Sequence, residues 1–469
     1  MAGTRIAGLI VGLVLALAPA AQAGSVEVDL RQLNAAQLQG LASDLAAQGL
    51  DDQALAVAEH LLLRDPKDAL AHYIVALITL RHGATAVARP AARLSFRAAD
   101  TDRQHYEAAR IAGKVAVADQ RWVQAQYWAR QTIQFAPDAA RREIAVGDFR
   151  HLRAISPLAW SLRVGLRPSN NVNGGADDRL SVIDGYDAVG YLSEDAMALP
   201  GVVGTINLEA SYRIAAGKGQ ETRLGVSTYL RAVDLEGSPT RQYFTPDGRP
   251  GPVETIPNSD YSGASFGLDL RHSRRIGRYG VAGKLSAGQS WEGGDPAYGY
   301  TGLDLSLGRV LGPAQLSFTA GAEARDWTDS PRRDTRGQLG FGFSRDLPGG
   351  VLSGGVSLAA LDSTVENAQY WSVSGSLRYE PEARLGPIAF SLGAGLGRSV
   401  YPEYQVLYFA PEGGRQDDTV FAEIGLWSPE ISRAGFAPEL KLQAVSVDSN
   451  FSRFEHTEIG VAVGLRSTF

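Results

Sequence analysis

The sequence HTEIGVAVGLRSTF, residues 456–469, alternates large apolar side chains with small or polar ones. Successive side chains of a β-strand point to opposite faces, so Ile459, Val461, Val463, Leu465 and Phe469 share one face. The opposite face carries mainly glycine, alanine, arginine and threonine. This stretch therefore predicts a strand with one face against an apolar phase and an aromatic residue at its end.

The N-terminal residues have the pattern of a secretory signal. Arg5 precedes an apolar run from Ile6 to Ala18, and Ala21-Gln22-Ala23 is a small-x-small cleavage site. We interpret residues 1–23 as a cleaved signal peptide. The alternative, a helical membrane anchor, is less favoured because a spanning helix needs about 20 apolar residues.

The composition narrows the function classes. The chain has 53 glycines, no cysteine and seven histidines, and its mean hydropathy is −0.12. Strands that are apolar on one face only explain the moderate hydropathy, and the missing cysteines exclude disulfides and thiol chemistry. A net charge of −6 gives no basic footprint for nucleic acid. We expect no cofactor, no metal site and no enzymatic activity, since only His272 and His456 lie in the second half of the chain.

Residues 30–153 are rich in alanine, leucine and glutamine and repeat at roughly 34-residue spacing. Gly49 separates the first two predicted helices, and prolines 66 and 137 end the first and last hairpins. We predict tetratricopeptide-like helical repeats; an alanine-rich bundle is the alternative. A concave repeat face binds a protein or peptide. The aromatic candidates for this contact are Tyr73, Tyr106, Trp122, Tyr127 and Trp128. The alternative is that these residues form the core between helices.

From Trp160 the hydrophobic period changes from 3.6 to 2. We count 14 candidate strands, each near the length that a tilted strand needs to cross a bilayer. The fold class is therefore α + β multidomain: N-terminal tetratricopeptide-like repeats followed, over residues 159–469, by a 14-stranded antiparallel transmembrane β-barrel. A soluble β-sandwich is the alternative.

Short turns alternate with long connections in this half. The turns lie near residues 216–219, 274–277, 311–313 and 347–350, and the long segments span 169–203, 235–260, 327–335 and 401–417. Outer-membrane barrels have short periplasmic turns and long outer loops. We therefore expect the barrel in the outer membrane of a Gram-negative bacterium and the helical domain in the periplasm.

Several charged residues fall on the strand face opposite to the apolar one. A charge facing lipid at the midplane costs about 2–4 kcal/mol, so these side chains should face the lumen. They line a passage or, alternatively, pair with one another and stiffen the barrel. The predicted lumen-facing set is Arg163, Arg167, Arg223, Arg231, Lys284, Glu323, Arg325, Glu439, Lys441 and Arg466.

Two segments suggest a family. PSNNVN, residues 168–173, follows the first predicted strand, and VDSNFSRFEHT, residues 447–457, leads into the last. With the signal, the helical repeats and the barrel, these segments resemble the Slam family (surface lipoprotein assembly modifiers), although the helical domain is short and the final hairpin keeps only Phe451 and Phe454 of the family's aromatic run.

The resemblance implies an outer-membrane translocon that exports specific lipoproteins or soluble proteins to the cell surface or medium. The expected partners are a client lipoprotein or secreted protein, outer-membrane lipids, a periplasmic chaperone and the barrel-assembly machinery. An exopolysaccharide exporter, or a general porin with a periplasmic repeat adaptor, is the alternative. Sugar exporters favour stacking aromatics, and the predicted lumen has few, with Tyr229 the clearest.

Overall fold

The computed structural model describes residues 13–15, 26–184, 186–244 and 249–467. The chain divides between Ser156 and Pro157 into two compact units, one helical and one made of strands. The predicted signal peptide lies outside the described residues except for Leu13–Leu15, which forms a short strand paired with Val26–Val28. The predicted terminal aromatic, Phe469, also lies outside them.

The described part of the first unit forms seven α-helices. Side-chain caps begin several of them: Asn34, Thr101 and Asp138 each accept a hydrogen bond from a backbone N–H of the first turn. Gly49, at φ 78°, ends the first helix in the left-handed conformation that glycine adopts without strain. The helices are α1 (Ala35–Gln48), α2 (Asp51–Arg64), α3 (Ala69–Arg81), α4 (Thr85–Ala98), α5 (Asp102–Ala118), α6 (Trp122–Gln134) and α7 (Ala139–Ile155).

Small side chains let these helices approach closely. Ala54, Ala109 and Ala125 are fully buried, and a Cβ added at Gly113 on α5 would contact Trp128 Cβ on α6 at 3.6 Å. The odd-numbered helices begin at residues 35, 69, 102 and 139, which is close to the spacing that the sequence predicts. The sequence analysis ended the last hairpin at Pro137 and predicted no separate helix after it. The structure adds α7 there.

The second unit is a closed antiparallel barrel of 14 strands, as predicted. The strands are β1 (Leu158–Ser169), β2 (Gly201–Gly217), β3 (Gln220–Leu235), β4 (Gly263–Ile276), β5 (Tyr279–Glu292), β6 (Asp295–Leu311), β7 (Ala314–Trp327), β8 (Arg333–Leu347), β9 (Gly350–Ser363), β10 (Tyr370–Pro381), β11 (Ala389–Tyr401), β12 (Arg415–Trp427), β13 (Phe436–Ser449) and β14 (His456–Ser467). Each strand pairs with its neighbours in the chain, and β14 pairs with β1 to close the ring.

The two ends of the barrel differ. At one, which we call the turn end, β2–β3, β4–β5, β6–β7 and β8–β9 are joined by two residues each. At the other, the loop end, residues 170–200 and 236–262 form long connections that carry two-stranded arms. One connection at the loop end departs from the expected pattern: Gly293 and Gly294 alone join β5 to β6, and both have the positive φ that this tight turn requires.

The boundary between β14 and β1, which we call the seam, has the shortest described pairing in the ring. It consists of Gly460 with Ser169, Val463 with Leu166 and Gly464 with Gly165. The adjoining β13–β14 pair, in contrast, continues from one end of β14 to the other. Among the described residues, the pairs that join β14 to β1 lie in the loop-end half of β1.

Candidate functional site

The inward face of the barrel is identified by side chains that meet although their strands are not neighbours. Arg466 on β14 donates two hydrogen bonds of 2.8 Å to Glu380 on β10, and three strands lie between β10 and β14. A Cβ at Gly267 on β4 would also collide with the hydroxyl of Tyr300, two strands away. Such contacts form only inside a barrel, and the alternation of side chains with the strand register extends the assignment around the ring.

The charged residues predicted to face the lumen all lie on this inward face. Lys284 pairs with Asp304 at 2.9 Å, and Arg325 pairs with Glu323 at 2.7 Å. Four further ion pairs join basic and acidic side chains of the lumen. They are Arg223 with Glu221, Arg167 with Glu458, Arg466 with Glu439, and Lys441 with Glu439. Arg163 lies exposed on this face. The lumen is therefore charged, and most of its charges are paired.

The densest of these contacts form the turn-end network, which we define as Glu380, Trp427, Glu439, Lys441 and Arg466. The Arg466 guanidinium lies 3.8 Å from the centre of the Trp427 ring while it bonds both glutamates. A guanidinium held on a ring and by two carboxylates is fixed in position, because stacking and directional hydrogen bonds act together. This network crosses the lumen near the turn end.

Next to this network, the wall made by β7 to β12 is lined with small side chains. Ser317, Gly342, Ser353, Ser376 and Gly393 border an open cavity of about 540 Å³. The same strands present leucine, phenylalanine and valine outward, with Leu339 57% and Val356 50% exposed. An apolar exterior around a small, hydroxyl-rich interior suits a bilayer outside and an aqueous passage inside.

Aromatic side chains are more frequent in the lumen than the sequence suggested, so the prediction that they are few is wrong. Four of them have an arginine on one face: Arg325 lies over Tyr298, Arg332 over Trp327, Arg415 over Tyr401, and Arg466 over Trp427. The inward aromatic residues of the described strands are Tyr229, Tyr298, Tyr300, Trp327, Tyr370, Tyr401, Phe421 and Trp427. Two of them, Trp327 and Tyr401, were missed because they lie at strand ends, within segments that the sequence analysis assigned to long connections.

Two long loops pack against the inward face of the barrel at the loop end. Inward-facing Val203 and Val233 pack with Val172 from the 170–200 loop and Ile256 from the 236–262 loop. Arg231 fixes both loops, since its Nη2 donates to the Val172 carbonyl at 2.7 Å and its Nε to the Tyr261 carbonyl at 3.0 Å. We call the buried residues Val172, Leu199, Val203, Val233, Leu235 and Ile256 the mouth cluster.

The two segments that suggested a family lie against each other at the loop end of the seam. Asn170 bonds to the backbone of Thr457 and Ile459. Ser452 Oγ accepts from Val182 N at 2.8 Å and donates to the Leu180 carbonyl at 3.0 Å. Nearby, burial raises the pKa of the Glu455 carboxyl, and Asp448 adds to that effect. The first connection of the barrel and its last hairpin are therefore one structural assembly.

The aromatic residues proposed for client contact lie at different depths in the helical unit. Tyr106 is 4% and Trp128 9% exposed, and both belong to the core. Tyr73 and Trp122 are half-buried against that core. Tyr127 is 50% exposed and contacts Trp128 edge to face. Tyr127 thus offers the largest free aromatic surface of the set.

Charged groups of the helical unit are held by short contacts. Hydrogen bonds from Thr85 and Arg89 lower the pKa of Asp119, and bonds from Arg141 lower that of Asp138. Burial, with Arg153 nearby, lowers the pKa of Arg130 to about 10, and its guanidinium lies 4.8 Å from the centre of the Phe149 ring. These groups stabilise helix junctions.

Among the described helices, none is both long and apolar enough to cross a membrane. Within the described ranges, no three histidine, aspartate or glutamate side chains are grouped so as to hold a metal ion.

No protein-family model matches the sequence, and no curated protein matches it.

Solved structures align with about two thirds of the chain. The outer membrane channel DcaP of Acinetobacter baumannii is 10% identical with a TM-score of 0.36, and covers 66% of this chain and 97% of its own. An anion-selective porin from Comamonas acidovorans is 11% identical with a TM-score of 0.34, covering 66% and 100%. A bacterial polysaccharide outer membrane secretin is 8% identical with a TM-score of 0.33, covering 65% and 98%. The assignment of a closed barrel rests on the strand pairing of this chain.

Proposed function

We propose that this chain is a Slam-like outer-membrane translocon that exports a lipoprotein or soluble protein through its barrel, with the helical unit in the periplasm. The observation that carries the proposal is the contact between residues 168–173 and residues 447–457, the two segments on which the resemblance rests, where Asn170 Nδ2 donates to the Thr457 carbonyl. Because they lie together at the seam, the resemblance concerns one site and not two separate stretches.

The character of the lumen supports passage of a polymer. The wall of β7 to β12 presents glycine and serine over many positions, so a chain sliding along it meets few bulky side chains. A wall of this kind suits a client that must bind weakly along its route.

Loop movement is part of this proposal. The mouth cluster buries apolar groups of the 170–200 and 236–262 loops against inward-facing Val203 and Val233. A polypeptide that leaves at this end would displace these loops. We infer that the described conformation is the closed state, since loops held by a few hydrogen bonds open more readily than barrel strands.

The helical unit is proposed to bind the client before passage. Its tetratricopeptide-like character rests on the regular helix spacing and the small residues between paired helices. Repeat hairpins of this kind present a groove to a protein or peptide. Tyr127 is the aromatic residue best exposed for such a contact.

The second candidate function is export of a polysaccharide, and the inward aromatic side chains favour it. Sugar rings stack on free aromatic faces. Against this, the rings of Tyr298, Tyr401 and Trp427 already have an arginine on one face. That arrangement leaves fewer faces for sugars than the number of aromatic residues suggests.

The test co-expresses this protein with the small secreted protein or lipoprotein encoded beside it and labels the cell surface with an impermeant reagent. We expect surface labelling of the client to need this chain. The variant Ser376→Trp, which narrows the lumen wall, should reduce the labelling several-fold. The matched control is Leu377→Trp, on the outward face of the same strand.

Equal client labelling with and without this chain would refute protein export. If that result came with altered polysaccharide secretion, the second candidate would replace the first. Loss of export in both tryptophan variants would indicate a folding defect, so each variant is checked for the gel mobility of the folded barrel before labelling.

A further inference from the structure

The inward face of β2 to β5 carries four basic side chains in one row. The strand register places Arg213 on β2 opposite Arg223 on β3. It places Arg271 on β4 opposite Arg223 on one side and opposite Lys284, on β5, on the other. Neighbouring strands lie about 5 Å apart, so these side chains enter the lumen next to one another. We call the four residues the basic row, and they lie in the turn-end half of their strands.

A row of this kind costs stability, because like charges directly opposite each other on one face of a sheet repel. Acidic side chains offset part of the charge. The Glu221 carboxylate is shared, at 3.7 Å from Arg213 and 3.1 Å from Arg223. Lys284 pairs with Asp304 at 2.9 Å. Two carboxylates thus serve three members of the row.

Arg271 is the member that they leave without a partner. Its side chain is exposed, and among the described residues it makes no hydrogen bond or ion pair. Asp269, the inward acid beside it on β4, lies instead across Gly225, where an added Cβ would meet its Oδ1 at 2.5 Å. Arg275, four residues toward the turn end on the same face, is also exposed and unpaired among the described residues. Two guanidinium groups are therefore available to a ligand.

These two arginines border an open cavity of about 740 Å³ at the turn end of the lumen. Ser273 lies between them, and Ser306 and Gln315 add further hydrogen-bonding groups. Among the described residues that border this cavity there is no aromatic ring on which a sugar could stack. A guanidinium binds a carboxylate through two parallel hydrogen bonds. The lining therefore favours the acidic side chains of a peptide over a sugar chain.

The far wall of the lumen, made by β10 to β13, is balanced in charge. Its three basic and three acidic side chains form the pairs Arg378 with Glu423, Lys441 with Glu439 and Arg466 with Glu380. The unpaired positive charge is thus confined to the β2–β5 side. A cleft with an excess of one sign of charge concentrates ligands of the other sign.

We propose that the basic row, together with Arg275, binds an acidic segment of the exported polypeptide at the turn end of the lumen. This inference rests on the proposed function, and it names the chemistry of the client segment that enters the barrel. The row spans about 15 Å between its outer strands. A segment with several carboxylates supplies counter-charges along that length, whereas one small anion reaches only one or two guanidinium groups.

The test measures binding of a fluorescent ten-residue peptide of alternating glutamate and serine to the purified full chain in detergent micelles, by anisotropy. The control peptide has glutamine in place of glutamate. The variant is Arg271→Gln. Its matched control, Arg345→Gln, removes the same charge from the outward face of β8 at the same end of the barrel.

We expect the glutamate peptide to bind several-fold more tightly than the glutamine peptide, and increasing salt to weaken it. Arg271→Gln should reduce the affinity several-fold, and Arg345→Gln should leave it unchanged. Because Arg271→Gln also relieves like-charge repulsion, its thermal midpoint should be no lower than that of the parent. A lower midpoint together with weaker binding would make Arg271 a structural residue and overturn the proposal.

Equal affinity for the two peptides, or equal losses in the two variants, would also overturn it. Displacement of the glutamate peptide by inorganic phosphate at the same molar concentration would reduce the site to one for small anions. Tighter binding of an oligogalacturonate than of the peptide would replace the polypeptide by an acidic polysaccharide. The assay involves no export, so binding at the basic row and the export function can fail independently of each other.

Discussion

Asn170 acts as one more rung of the strand ladder for Ile459. Its Oδ1 accepts from Ile459 N at 2.7 Å while its Nδ2 donates to the Thr457 carbonyl at 2.9 Å. A side-chain amide has the same donor and acceptor as a peptide group. Asn170 therefore continues the β1–β14 pairing beyond Ser169, where the seam is otherwise short.

Replacing this residue should weaken the seam. Asn170→Ala removes two hydrogen bonds, a loss of roughly 1–3 kcal/mol, and we expect the barrel to unfold at a lower temperature. The measurement is the temperature at which the unheated gel band converts to the unfolded mobility.

The matched control for this variant is Asn367→Ala. Asn367 bonds Gln405 in the same two-bond manner, with distances of 2.9 and 3.0 Å, and lies in a loop away from the seam. Because this pair does not join the two strands that close the ring, a smaller thermal shift is expected. Equal shifts for the two variants would show that the role assigned to Asn170 at the seam is wrong.

The strand number and the faces could be predicted because they depend on local period-two alternation, as in residues 456–469. The cross-lumen contacts could not. The Arg466–Glu380 pair joins strands that are distant in the chain, and it depends on how the closed ring is staggered. The mouth cluster was missed for a similar reason, since Val172 and Val233 meet only after a long loop folds inward.

Cysteine substitution tests the inward and outward faces directly, since the chain has no native cysteine. We expect Ser376→Cys to react with a charged, water-soluble thiol reagent and Leu377→Cys to resist it. The lumen carries water, whereas the outward face contacts detergent or lipid tails. Labelling is measured by mass. Faster labelling at position 377 would reverse the face assignment of β10.

A charge on each face should have opposite consequences. Leu339→Arg, at the middle of β8, places a guanidinium in the lipid and should destabilise the barrel by about 2–4 kcal/mol. Gln338→Arg, the preceding residue of β8, faces the lumen and should be tolerated. Denaturant unfolding of the reconstituted proteins provides the comparison, and similar midpoints for both variants would contradict the assignment.

The helical unit should fold without the barrel. Its helices have caps and a continuous buried core of leucine, isoleucine and alanine. Residues 29–156, expressed alone, should give a helical circular dichroism spectrum with a cooperative thermal transition. Ala112→Phe should abolish that transition because the site is 4% exposed between packed helices. A strand-rich or unfolded spectrum for the parent segment would contradict this prediction.

Acid should destabilise this unit through the carboxylate that joins α4 to the end of α5. Asp119 Oδ2 accepts from Arg89 Nε at 2.9 Å, and its side chain is 11% exposed. These contacts hold its pKa below the ordinary value in the folded state only. The unfolded chain therefore takes up the proton first, and stability is lost as the pH falls from about 4 through the lower folded pKa.

Thermal midpoints measured from pH 7 to pH 3 should fall less steeply in Asp119→Asn than in the parent, because the variant lacks this carboxylate. They should still fall, because the pKa of Asp138 is also lowered in the folded state. Asp44→Asn, on the exposed side of α1, controls for the loss of one negative charge. If all three proteins lost stability with the same slope, the Asp119–Arg89 contact would not be the source of the acid sensitivity.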